Sequence, residues 1–147
     1  MQYDLDRFLG EQAHVYEGVL DELRRGRKTG HWIWFVFPQI AGLGHSAMSQ
    51  QYAITSLDEA RAYLAHPVLG ARLRECAGIL LGFEGRTAEA IFGSTDAMKL
   101  RSCMTLFHRA APDDAVFSRV LDRYFDGVPD GLTDLRLESG GPPAETL

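Results

Sequence analysis

The sequence predicts an all-α fold: a compact single-domain bundle of about six to eight helices with no extensive sheet. Apolar residues recur at three- and four-residue steps over most of the chain, and residues that cap or stop helices flank these stretches. A chain of 147 residues has the length of one domain, which at this size buries roughly 68–70% of its unfolded surface. We find no convincing pair of strands.

The first helix is predicted over residues 4–25. Leu5, Phe8, Leu9 and Tyr16 belong to a stripe at helical spacing that leaves charged residues on the opposite face. Gly26 is expected to close the helix.

The next segment, residues 31–37, is the most apolar and aromatic run of the chain. Its β-branched and aromatic residues suit a strand, but a short buried helix has the same pattern. A lone strand would need a partner, so we expect a helical or irregular buried segment. Pro38 and Gln39 end it, and a loop over residues 41–44 follows.

Three helices are predicted in the middle of the chain. Ser46 or Ser49 starts a short one that runs to residue 52. Ser56 and Glu59 have the spacing of a capping box for a helix over residues 57–65. The next helix is expected to begin at 66–67, with Pro67 at its first position.

Further helix signals follow in the second half. Thr87 is expected to cap a brief helix that Gly93 ends, and Ser94 or Thr95 to cap a longer one. Asp113 or Asp114 is expected to cap the last long helix, which ends at Gly127. One last turn is expected to dock through three leucines: Leu132, Leu135 and Leu137. The domain is predicted to span residues 1–138, with a flexible C-terminal tail over 139–147.

Composition excludes several classes of function. The formal net charge of -5 argues against a sequence-independent grip on nucleic acid, and no nucleic-acid partner is expected. A basic cluster at residues 24–28 could contact a phosphate or form a solvated helix end. No apolar stretch approaches a membrane span, and no signal segment is evident at the N-terminus.

The two cysteines, Cys76 and Cys103, are too few for a disulfide framework or a zinc site. Each falls on the apolar face of a predicted helix, so we expect buried free thiols and a cytoplasmic location. The histidines form no two-ligand motif on a helix. We therefore predict no metal and no cofactor, and we assign no catalytic residue.

The aromatic segment supplies the first candidate ligand contacts. His31 could donate a proton or position a ligand, or it could be satisfied by nearby backbone. At least one of Trp32 and Trp34 should be core, while the other could stack on a base or sugar. The Gln39 amide can both donate and accept, which suits a base edge.

The following loop adds three candidates. Gly42 and Gly44 would let the backbone approach a ligand closely, although they do not complete a dinucleotide fingerprint. Ser46 is interpreted as a helix cap in preference to a nucleophile, because no Gly-x-Ser-x-Gly arrangement surrounds it.

A second set of candidate ligand-binding residues follows the predicted helix start near residue 94. Asp96 and Lys99 are three residues apart and could form a surface ion pair. Alternatively, Lys99 and the free amides of the helix start would accept a phosphate or carboxylate. Ser102 and Thr105 lie further along the same helix.

Five stretches resemble the bacterial family catalogued as domain of unknown function 1810: residues 30–39, 42–46, 51–54, 63–73 and 92–107. The resemblance extends over roughly residues 3–137. It implies an all-helical cytosolic domain of unassigned activity. The family is sometimes labelled calpastatin-like, but nothing in this sequence indicates a protease inhibitor.

A looser likeness concerns residues 98–125, which are similar in apolar spacing to the helical NADAR domain family. Members of that family hydrolyse N-glycosidic bonds of ADP-ribose-type substrates. No residue of this sequence is matched to their catalytic glutamate.

Two hypotheses follow. In the first, the segments 31–39 and 96–105 converge on a pocket that binds or hydrolyses a nucleotide-like, sugar-phosphate or ADP-ribose-type ligand. In the second, the aromatic run is only core, and the protein is a non-catalytic helical module that binds a protein partner. The first requires a concave polar hollow between the segments, whereas the second requires a solid core and an exposed apolar patch.

Overall fold

The computed structural model describes residues 3–139. The described chain is all-helical, as predicted, and six of its nine helices have nine or more residues. The helices are α1 (Asp6–Arg25), α2 (Ile33–Val36), α3 (Ala47–Gln51), α4 (Leu57–Ala65), α5 (Leu69–Leu80), α6 (Ala88–Phe92), α7 (Ser94–Ala110), α8 (Ala115–Phe125) and α9 (Gly131–Ser139). Within the described residues there is no strand, and Ile40 and Ile54 form one isolated parallel bridge. The expected tail over residues 139–147 lies outside the described residues, except for Ser139, which is the last residue of α9.

Most predicted helix ends are confirmed, because caps are local interactions. Gly26 closes α1 in the left-handed conformation. The side chains of Ser46, Thr87 and Asp114 accept hydrogen bonds from first-turn amides of α3, α6 and α8. Ser56 does the same for α4.

The capping box at α4 differs from its expected form in one contact. Ser56 Oγ accepts from the Glu59 amide at 3.1 Å, as predicted. The Glu59 carboxylate, however, accepts from the amide and hydroxyl of Thr55, both at 2.8 Å, and pairs with Arg7 at 3.1 Å. The buried Glu59 side chain therefore links α4 to α1.

Two predicted helix starts were wrong. Pro67 lies in the turn before α5, and His66 Nδ1 accepts hydrogen bonds from the amides of Val68 and Leu69. At α7, neither predicted side chain is the cap. Gly93, with φ of 81°, both ends α6 and precedes α7, and this close succession leaves no residue for a side-chain cap.

The end of the chain also differs from the prediction. In place of a single turn, α9 has nine residues. Its buried side chain is Thr133, whereas Leu132 and Leu135 are 61% and 58% exposed. Leu137 alone of the three leucines packs against the core.

The interior is a continuous aromatic and aliphatic core. Phe8, Tyr63, Phe107 and Phe117 form a chain of ring contacts with neighbouring centroids 5.1 to 5.9 Å apart. The free cysteines Cys76 and Cys103 are buried in this core. Burial raises the pKa of the Cys76 thiol to about 12 and that of Cys103 well above its ordinary value.

The aromatic run is a single helical turn, α2, followed by extended chain, which confirms the expected helical or irregular segment. Trp32 and Phe35 point into the core, whereas Trp34 is half-buried. Beyond it, the Gln39 carbonyl accepts from the Ile54 amide at 2.9 Å. The Ala41 amide donates to the Ile54 carbonyl at 2.8 Å. These two bonds fix the backbone on either side of Ile40.

None of the helices in residues 3–139 combines the length and apolarity needed to cross a membrane.

Candidate functional site

Two adjoining hollows lie where the loop after α2 faces the first half of α7. The loop hollow, of about 160 Å³, is lined by residues that include Trp34, Gln39, Gly42, Gly44, Ser49 and Tyr52. The α7 hollow, of about 200 Å³, is lined by residues that include Gln39, Gly44, Met98, Lys99, Ser102 and Asp130. Gln39 and Gly44 belong to both walls. The structure thus places residues of the two candidate segments in the walls of two hollows that share Gln39 and Gly44.

Trp34 lies in the wall of the loop hollow. Its Nε1 is buried and has no hydrogen-bond partner within the described chain. A buried N–H without an acceptor costs roughly 1–3 kcal/mol. The Lys99 ammonium lies 4.9 Å from the centroid of its ring, so the face toward Lys99 is occupied.

Lys99 belongs to a charged cluster that Asp96 connects. Asp96 pairs with the Lys28 ammonium at 2.6 Å and with that of Lys99 at 3.6 Å. Lys28 also donates to the Gly30 carbonyl at 2.5 Å and lies 5.0 Å from the Trp32 ring centroid. The predicted Asp96–Lys99 pair is present, but the closer partner of Asp96 is Lys28. Lys28, Asp96 and Lys99 together carry a net charge of +1. Lys99 is the less well neutralised cation, because it lies farther from the carboxylate than Lys28 does.

The side-chain amide of Gln39 has no hydrogen-bond partner in the described part of the chain, although its backbone is fixed. Its wall position in both hollows leaves a donor and an acceptor available to a bound molecule.

The two loop glycines have structural reasons for being glycine. Gly42 has φ of 97°, and a Cβ there would lie 2.5 Å from the Arg136 guanidinium of α9. A Cβ on Gly44 would lie 2.5 Å from Ser49 Oγ. The loop therefore closes tightly on α9 and α3, and both glycines still line the loop hollow.

Besides Asp96, four candidates lie outside these walls. His31 is exposed, and Ser46 is an exposed cap whose Oγ accepts from the Ser49 amide at 3.1 Å. Trp32 is buried, with its Nε1 donating to Glu22 at 3.0 Å. Thr105 is buried and donates to the Arg101 carbonyl at 2.8 Å.

Glu22 explains why Trp32 is core. Its Oε1 accepts from the Trp32 indole and from the amides of Thr29 and Gly30. Burial raises the pKa of Glu22, but these donors outweigh it and hold the pKa below its usual range. The carboxylate ties α1 to the chain before α2.

Asp130 is the main site residue that sequence reasoning missed. Its Oδ2 accepts from Ser102 Oγ at 3.3 Å and from the amide and hydroxyl of Thr133 at 2.9 and 2.6 Å. Among the described residues nothing donates to Oδ1. The Asp-x-x-Thr spacing before α9 was the available signal, since it is typical of a helix cap.

Apolar side chains form part of the α7 hollow as well. Leu43, Met98 and Leu132 belong to its wall, and Met98 is 68% exposed. Within residues 3–139 no group of three or more His, Cys, Asp or Glu side chains is arranged to hold a metal ion.

Comparison with known proteins gives one family and one similar structure. The family model described as "Protein of unknown function (DUF1810)" matches residues 2–137. This chain is similar to the conserved hypothetical protein Rv1873 from Mycobacterium tuberculosis, whose crystal structure superposes with a TM-score of 0.91 at 50% sequence identity. The match covers 92% of this chain and 97% of that one. None of the curated proteins matches.

Proposed function

We propose that this chain, which belongs to the DUF1810 family of proteins of unknown function, binds a small nucleotide-like ligand across the loop hollow and the α7 hollow. Because no activity carries over from a relative, the proposal rests on the geometry. The observation that carries the proposal is that the unpartnered Gln39 amide and the Lys99 ammonium line one hollow. The first suits the edge of a base and the second suits a phosphate or carboxylate.

Charge supports an anionic group at Lys99. The Lys28 side chain is only 6% exposed and its ammonium lies 2.6 Å from Asp96, whereas the Lys99 ammonium lies 3.6 Å away, so Asp96 attracts Lys99 less strongly. An anion of the ligand would complete the neutralisation of the cluster.

Polar geometry supports a planar group with a hydrogen-bond acceptor in the loop hollow. The buried Trp34 N–H has no acceptor in the described chain, and Gln39 stands in the same wall. A ring nitrogen or carbonyl oxygen of the ligand that accepts from the indole would remove the cost of the unpaired donor. Lys99 covers one face of Trp34, and we therefore propose that the indole edge binds the ligand through a hydrogen bond.

The test is a thermal-shift screen followed by calorimetry with four probes: AMP, UMP, ADP-ribose and inorganic phosphate. A ligand at 100 times its Kd stabilises the native state by about 2.7 kcal/mol, which corresponds to several degrees in Tm for a chain of this length. We expect the nucleotides to stabilise the protein more than phosphate does. Chromatography of the same mixtures distinguishes binding from hydrolysis, because only hydrolysis consumes the probe.

Matched variants locate the binding. Gln39→Ala and Trp34→Phe remove a donor from the walls and should weaken AMP binding about tenfold each, the value of one hydrogen bond to a bound ligand. Gln51→Ala is the control, since Gln51 is exposed on α3 and lies outside both walls. The proposal fails if no probe stabilises the wild type at millimolar concentration, or if the Gln39 and Trp34 variants bind as tightly as the control.

A second candidate, the non-catalytic interaction module, is favoured by the exposed apolar rim of the α7 hollow. Met98 and Leu132 are 68% and 61% exposed there. If this surface binds a protein partner, Met98→Ser with Leu132→Ser should abolish association, while Gln39→Ala should leave it intact. The ligand proposal predicts the opposite result: Gln39→Ala weakens ligand binding, whereas Met98→Ser with Leu132→Ser leaves it intact.

A further inference from the structure

We propose that Asp130 recognises sugar hydroxyls, so that the site takes ribose-bearing ligands in preference to their deoxy counterparts. This inference rests on the proposed function and adds the residue that selects the sugar. Asp130 lines the α7 hollow together with Lys99, and no ion pair joins the two within the described chain. The hollow therefore presents an anionic acceptor beside its cation.

The Asp130 carboxylate is held in place from several directions. Three donors from Ser102 and Thr133 converge on Oδ2. The Asp130 amide itself donates to Thr105 Oγ1 at 2.9 Å, which ties the backbone to α7. A carboxylate fixed in this way also holds Oδ1, which has no donor in the described chain, at a set position.

The same surroundings favour hydroxyl donors over an ammonium group. The N-terminal end of the nine-residue helix α9 and three neutral donors already stabilise the negative charge of Asp130. The carboxylate does not need a cation from the ligand, and burying an ammonium would carry a larger desolvation cost than burying a hydroxyl. Carboxylates that accept from ribose hydroxyls are used in this way at other nucleotide sites.

Asp130 and Lys99 share one hollow, which suits two neighbouring groups of a nucleotide. Gln39 belongs to both hollows, Lys99 belongs to the α7 hollow, and Asp130 lies in the wall of that same hollow. A base at the loop hollow and a phosphate at Lys99 would bring the connecting sugar to the wall that contains Asp130.

The test compares AMP with 2′-deoxy-AMP and 3′-deoxy-AMP by calorimetry on the full chain. We expect the wild type to bind AMP about tenfold more tightly than either deoxy nucleotide. Asp130→Asn should lower AMP affinity about tenfold and bring the ratio of affinities close to one. Asparagine caps helices as well as aspartate does, so α9 should remain folded, which the Tm of the variant checks.

Asp113→Asn is the control, because Asp113 is an exposed carboxyl outside the walls. The inference alone is overturned if the wild type binds AMP and both deoxy nucleotides equally, or if Asp130→Asn keeps the wild-type preference. If no nucleotide binds the wild type, the proposed function falls and this inference falls with it.

Discussion

The Lys99 ammonium lies 4.9 Å from the centroid of the Trp34 indole ring, at the junction of the aromatic segment and α7. This contact stabilises the wall of the site before any ligand arrives. A cation above an indole contributes roughly 0.5–1 kcal/mol when it remains partly solvated, and the Lys99 side chain is 21% exposed. The residue proposed to bind an anion is therefore also part of the folded wall.

Lys99→Met separates these two roles. Methionine keeps most of the apolar stem and removes the charge, so we expect AMP affinity to fall at least tenfold, because a charge-assisted hydrogen bond is worth about 1.5–3 kcal/mol. The Tm should fall by only a few degrees. Calorimetry and thermal unfolding measure the two effects, and Lys99→Arg is the charge-matched control. Equal AMP affinity in the methionine variant and the wild type would contradict an anion site at Lys99.

Asp96, in the first turn of α7, should contribute strongly to stability through its ion pair with Lys28. Asp96→Asn leaves the ammonium of Lys28, whose side chain is 6% exposed, without the carboxylate that lies 2.6 Å from it. We expect the free energy of unfolding in urea to fall by about 3 kcal/mol, near the low end for breaking a buried pair because Asp96 is 19% exposed.

A double-mutant cycle checks the origin of that loss. Lys28→Met combined with Asp96→Asn removes both charges, so the pair of changes should cost clearly less than the sum of the single changes. Simple additivity of the two losses would show that the ion pair is not their cause.

The helix limits could be predicted largely from sequence because their signals are local. Gly26, Ser56 and Thr87 each act on amides or carbonyls within a few residues. The predicted starts of α5 and α7 were wrong because the interactions at these helix ends differ from an ordinary side-chain cap. At α5 the His66 side chain accepts the amides that a cap would accept, and at α7 one glycine serves two helices.

The candidate site was only partly predictable, because its contacts join distant parts of the chain. Sequence reasoning selected Gln39 and Lys99, which line one hollow, since polar side chains stand out beside apolar runs. It could not separate the roles of Trp32 and Trp34, because the run that contains them fits more than one periodicity. The contact of Arg136 with the Ala41 carbonyl spans 95 residues, and no local pattern indicates it.

Glycines on α1 offer a test of which glycines the fold requires. A Cβ on Gly10 or Gly18 would meet nothing within 4 Å, and both lie inside a helix. We expect Gly10→Ala and Gly18→Ala each to raise the free energy of unfolding by about 0.5–1 kcal/mol.

Gly42→Ala should have the opposite effect. Its φ of 97° is unfavourable for alanine, and the new Cβ would displace the Arg136 guanidinium. We expect the free energy of unfolding, measured by urea titration, to fall by about 1–2 kcal/mol. A stabilising effect of Gly42→Ala would show that the loop is free to change its backbone conformation.

The attachment of α9 to α7 should depend on pH through Asp134. Arg109 donates to both carboxylate oxygens at 2.9 Å, and these hydrogen bonds hold the pKa of Asp134 below its usual value of 3.8. Because the folded-state pKa is the lower one, the pair contributes its full stability above the unfolded-state pKa and loses it as the pH falls through the folded-state pKa. We expect the Tm difference between wild type and Asp134→Asn to be largest near neutral pH and to shrink below about pH 4. Thermal unfolding from about pH 6 down to about pH 2 measures it, and the comparison cancels other acidic groups such as Glu22. A difference that stays constant across this range would mean that ionisation of Asp134 does not hold α9 in place.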